Sequence, residues 1–207
     1  MVRHDAGMDS EVVKADLHHY LQAGRESLVW KLDGLSEYDV RRPMTRTGTN
    51  LLGIVKHVAS VEAWYLGDVF GRRFGVSLPW FDDDAETNAD MWATSDETRA
   101  DVVGLYHRAW ASSDATVRAL DLDAVGEVPW WPANRRRVTL HHMLVRMVEE
   151  TNRHAGHADI VRELIDGTVG LQSGKADLPA LDDAAWQAHR DRLERVAREA
   201  QQRSMAD

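Results

Sequence analysis

Hydrophobic positions recur at steps of three and four along four long stretches, and glycine and proline gather between them. The first stretch predicts a helix over 10–32. Val13, Leu17, Tyr20, Leu21, Gly24 and Leu28 share one stripe, and Ser10 followed by Glu11 supplies an N-cap and an acidic first turn. The second, over 50–70, is apolar around much of its circumference and should be well buried. The third, over 96–120, carries Val102, Tyr106, Ala109, Val117 and Leu120 on one face, and the fourth runs over 139–167, with Gly167 and Gly170 as stop signals. Residues 71–88, with Pro79, Trp80 and Asp82 to Asp84, read as a long irregular loop. A second long connection over 121–137 holds Pro129, Trp130, Trp131 and Pro132, then Arg135, Arg136 and Arg137. Four helices with two long connections predict an all-α four-helix bundle over 1–172. A linker and an extra C-terminal helix occupy 173–207. The helix, over 182–202, has few apolar residues (Ala185, Trp186, Leu193, Val196, Ala197), so it should pack outside the bundle or on a partner.

Composition narrows the chemistry. The chain has 207 residues, and its 43% hydrophobic content is enough to offset chain entropy by core burial. A net charge of −9 argues against a general nucleic-acid binder. The apolar runs are far short of the roughly 20 residues of a membrane span, and residues 1–16 lack the apolar centre of a signal peptide, so a cytoplasmic location without membrane contact is expected. There is no cysteine, so a transition metal must be held by His, Asp or Glu, and a reacting thiol must come from a cofactor or substrate.

The candidate chemistry lies on the fourth helix. With His154 at the centre of a helical wheel, Leu140, Met143, Met147, Ala158, Val161 and Ile165 fall within about 40° of it. Glu150 lies about 40° to one side and His157 about 60° to the same side. Three polar side chains thus interrupt a face that should be buried, where a carboxylate is costly unless paired, hydrogen-bonded or bound to a metal. Glu150 and His154, one turn apart, can point at a common centre. On the second helix His57 shares an apolar face with Ile54, Val61 and Trp64, whereas Glu62 points elsewhere. His57, Glu150 and His154 would form a two-His, one-carboxylate site with an open position, as in catalytic metal centres. The structural alternative is a set of core histidines with Glu150 paired to His154, Arg146 or Arg153; His157 is either a ligand or a group that orients one.

Other features carry less. His18, His19, His107, His141 and His142 read as mostly solvent-exposed. Arg135 to Arg137 either recognise an anionic substrate or form a solvated run, and Trp130 and Trp131 either wall a pocket or cap the bundle end. The chain has no phosphate-binding glycine loop, nucleophile elbow or HExxH motif.

Two segments resemble a known family. GLSEYDVRRPMTRTGTNLLGIVKHVASVEAWYLGDVFG (34–71) and VPWWPANRRRVTLHHMLVRMVEETNRHAGHADIVRELIDG (128–167) are similar to the DinB-like superfamily, in particular its actinobacterial mini-circle-protein and mycothiol S-transferase-like group, with similarity over about residues 10–172. The resemblance implies a DinB-like four-helix bundle with a divalent metal near one end of its core. The ligands implied are His57 and the pair Glu150 and His154. Glu150 stands where a His is commoner, an arrangement similar to the E-xxx-H of mycothiol-dependent maleylpyruvate isomerase.

That resemblance implies a metal-dependent thiol S-transferase acting on small electrophiles, with mycothiol as co-substrate. Zinc is the first expectation for the metal, with nickel, iron or manganese as alternatives. His157, Trp64 and Arg135 are the candidate supporting or substrate-facing residues. A hydrolase that activates water at the metal and a non-catalytic metal-binding or stress-related bundle are the competing readings, and a homodimer is compatible with all three.

Overall fold

A computed structural model describes residues 6–176 and 178–205. Among these residues six α-helices and one two-stranded hairpin are present: α1 (Ala6–Trp30), α2 (Glu37–Arg41), α3 (Leu51–Leu66), α4 (Arg99–Ala119), β1 (Val125–Glu127), β2 (Arg137–Thr139), α5 (Leu140–Asp166) and α6 (Asp183–Ser204). The architecture is the predicted all-α bundle. α3 packs on α4 and α5, α1 packs on α5, and the α1–α4 seam is only lightly closed. No helix among the described residues is long and apolar enough to cross a membrane.

The helix ends follow local chemistry. Asn50 caps α3 by accepting a hydrogen bond from Gly53 N, Thr98 and Asp101 form a reciprocal capping box on α4, and Thr139 caps α5. Gly167 ends α5 in the left-handed conformation, at φ 76°, where a residue without Cβ is unstrained. The structure moves Ser10 from the predicted N-cap of α1 into the helix. It also shows two elements the hydropathy pattern missed. α2 has only five residues, and the hairpin strands, with Val125 opposite Thr139, have three each, too short for either period to emerge.

The core falls into two apolar clusters. One contains Leu28, Leu52, Val55, Ala59, Ala109 and Ala158; the other contains Leu21, Leu66, Val117, Leu140, Met143 and Met147. Between them, each of the four long bundle helices contributes polar residues to one layer: Arg25, Glu62, Ser113, Asp114 and Thr151. The Arg25 guanidinium grips Glu62 with both ends, Nε at 3.1 Å and Nη2 at 2.6 Å, and reaches Asp114 at 2.8 Å. Arg25 and Glu62 are fully buried. Thus Glu62 does point away from His57, into this layer. His18, expected in solvent, donates from Nε2 to Asp114 Oδ1 at 2.9 Å and is half-buried. The α1 stripe is also narrower than predicted. Leu21, Gly24 and Leu28 are buried, but Val13 and Tyr20 are exposed because α1 leans mainly on α5. Gly24 is the point of closest approach, where a Cβ would stand 2.9 Å from Thr151 Cγ2.

Candidate metal centre

The long connection between α3 and α4 is fastened to α3. Its 3₁₀ turn Ala89–Met91 lies directly on Gly53, where any Cβ would overlap Met91 O. Asn50 Nδ2 donates to that same carbonyl at 3.2 Å. The buried Lys56 ammonium donates to Trp92 O at 3.0 Å, pairs with Glu97 at 2.8 Å and lies over the Trp80 ring. Arg41 on α2 donates to Thr94 O and Glu97 O. These clamps deliver Asp90 to His57, one helical turn beyond Gly53.

His57 then faces two carboxylates. Its Nδ1 is 2.6 Å from Asp90 Oδ2 and its Nε2 is 3.2 Å from Glu150 Oε1. From α5, His154 brings its own Nε2 to 3.2 Å from the same Glu150 oxygen. The two imidazole rings meet edge to face with centroids 4.8 Å apart. One ligand atom each from His57, Glu150 and His154 lies within 4.8 Å of the others. Glu150 thus pairs with the histidines rather than with Arg146 or Arg153.

Burial alone would lower the His57 pKa. Hydrogen bonding to Asp90 and Glu150 outweighs it and raises the imidazole to about 9. Hydrogen bonds from His154 and then His57 hold Glu150 far below the usual carboxylate range. Burial would raise Asp90, but its bond with His57 keeps it low. An imidazole whose two nitrogens both face carboxylates needs positive charge at both: either a second proton, or a cation in place of the proton on Nε2. With Nδ1–H directed at Asp90, the Nε2 lone pair is the free donor. Two such nitrogens and one carboxylate oxygen suit a divalent ion and leave it a net positive charge.

The other sequence candidates stand apart from this convergence. His157 is exposed, with its ring centroid 5.3 Å from that of His154. Partial burial and the positive neighbours His154 and Arg153 lower its pKa. Trp64 lies two turns beyond His57, stacked on Phe81 at 3.9 Å and beside Trp130 at 4.8 Å. Arg135 is exposed on the turn before β2, and no described contact joins it to the three residues. Trp130 and Trp131 both pack on Tyr65, at the bundle end. Asp90 is the functional candidate missed from sequence, since it sits in irregular chain. Gly53, a glycine inside a strongly helical pattern, was the available sign of a close backbone approach.

The family model for mycothiol-S-transferase matches residues 16–167. The chain belongs to the mycothiol S-transferase family. This is a DinB-like family, in agreement with the resemblance of the two segments. The matched region takes in α3 and α5, and with them His57, Glu150 and His154, and it stops at the glycine that ends α5. α6 lies outside it. Curated proteins provide no match to the chain. Membership supports a mycothiol S-transferase-like function, with a small-molecule thiol and an electrophile as substrates.

Proposed function

We propose that this protein joins the sulfur of mycothiol to a small electrophile at a divalent metal, zinc first among the candidates, held by His57, Glu150 and His154. The observation that carries the reading is the convergence of two Nε2 atoms on one carboxylate oxygen, each at 3.2 Å. A divalent ion held there would act as a Lewis acid and lower the pKa of the co-substrate thiol. The protein does the rest by placement. Asp90 fixes the His57 ring so that Nε2 is the free donor. Glu150 contributes the negative charge that offsets part of the ion's. His157, exposed at the rim with its pKa lowered by partial burial and nearby positive charge, is the group placed to accept the thiol proton. Trp64 and Trp130, with Trp130 half exposed, offer an apolar surface two turns along α3 from His57, where the body of the electrophile would rest. The absence of cysteine means that no thiol of the chain competes for the metal or the electrophile.

The test is turnover of a bimane and a haloaromatic by metal-loaded protein, with and without mycothiol. Conjugation that requires the thiol supports the reading. Turnover without thiol would favour water activation by a hydrolase. No turnover of a broad electrophile panel, with metal bound, would favour a non-catalytic bundle and sink the proposal.

A further inference from the structure

α6 is a complete helix of 22 residues with no buried residue. Its sequence repeats with a seven-residue period. Trp186, His189, Leu193, Val196, Ala200 and Arg203 fall at steps of three and four and make one seam. Leu193 and Val196, at its centre, are 54% and 55% exposed. Only the first turns, at Trp186 and Arg190, share a cleft with Glu163 and Val169 at the end of α5; from Arg190 onward every described residue is exposed. The seam is therefore formed, apolar at its middle and left uncovered by the described residues of its own chain.

We propose that this seam pairs with α6 of a second copy, antiparallel, to form a homodimer. The charges beside the seam choose both the partner and the direction. In the antiparallel register that sets Leu193 against the partner's Val196, His189 meets the partner's Ala200 and Trp186 meets the partner's Arg203. That last pair is a cation over an indole face. The flanking residues then place Arg192 beside the partner's Glu199, twice by symmetry. Among the described residues Arg192 has no carboxylate partner; its side-chain contact is His189 at 2.9 Å. Glu199 has only a loose exposed pairing with Arg203 at 3.7 Å. Sliding the partner by one heptad in one direction puts Arg192 on Arg192, and in the other direction Glu199 on Glu199. A parallel pair puts Arg203 on Arg203 and His189 on His189. Of these four arrangements only the first pairs opposite charges, and it uses nearly the whole length of α6. The two-fold symmetry of such a pair is that of the commonest soluble assembly.

The experiment is sedimentation equilibrium of the full chain over a concentration series, for wild type, Arg192→Glu, Glu199→Arg and the double variant. Leu193→Glu with Val196→Glu serves as the control for the apolar seam. Each single reversal turns two attractive pairs repulsive, so the dimer should weaken by about tenfold. The double reversal should restore it, and the seam control should be monomeric. The substituted side chains are exposed, so the fold should persist, as circular dichroism would check. A wild-type chain that stays monomeric to millimolar concentration would overturn the proposal. So would a dimer indifferent to the single reversals, which would place the interface elsewhere, and a double variant no stronger than the single ones.

Discussion

Replacing Asp90 by Asn probes the metal proposal through a residue that does not itself ligate. The 2.6 Å contact with Nδ1 puts the Asp90 charge about 7 Å from an ion on Nε2 of the same ring, allowing about 2 Å for the metal–nitrogen bond. At an effective dielectric of about 20, removing that charge costs about 2.4 kcal/mol of attraction, or about fifty-fold in affinity. This falls within the roughly 10–100-fold loss usual for carboxylates that support a ligating histidine. An Asn can also donate its own N–H to Nδ1, which would place the ring proton on Nε2 and block the donor. The clamps of Asn50, Lys56 and Arg41 on the 89–97 segment remain in the variant, so its stability should change little. Competitive titration against a chromophoric chelator reads the dissociation constant directly, and thermal unfolding of the metal-free forms reads the control. A metal affinity within twofold of wild type would refute the role given to Asp90.

Gly53→Ala should reproduce much of that loss while leaving both Asp90 and His57 in place, because the new methyl displaces Met91 O and lifts the turn; the same titration measures it. Arg25→Met leaves Glu62 buried without its counter-charge and should destabilise the fold by about 3–5 kcal/mol in urea unfolding, with a smaller loss when Glu62 is also replaced by an apolar residue. Burial would raise the Asp114 carboxyl, but Arg25 and His18 hold it below the usual range. A depressed folded pKa gives stability that is present above the unfolded value of about 3.9 and lost as pH falls through the folded value. Asp114→Asn should therefore cost stability at pH 6, and the gap from wild type should close toward pH 2. A gap that stays constant over that range would contradict the argument.

What could be read in advance follows the range of each interaction. Glu150 and His154 are one turn apart on a single helix, so a wheel brings them together without tertiary information. His57 required only that α3 and α5 be neighbours, which a four-helix bundle makes natural. Asp90 depends on a loop folding back across α3, and no period in 71–97 announces that. The layer of Arg25, Glu62 and Asp114 joins residues from three helices, and hydropathy reads each as an isolated surface charge. Val13 and Tyr20 show the converse. Their spacing on α1 is helical, but a stripe is buried only where a neighbour covers it, and these two positions stay in solvent while Leu21 and Leu28 are covered.

The most direct test of the central claim is metal content by elemental analysis of untagged, reconstituted protein, with His57→Ala and His154→Ala alongside. The account predicts about one divalent ion per chain in the wild type and loss of it in both variants, each still helical. No metal in the wild type, or full occupancy retained in both variants, would contradict it.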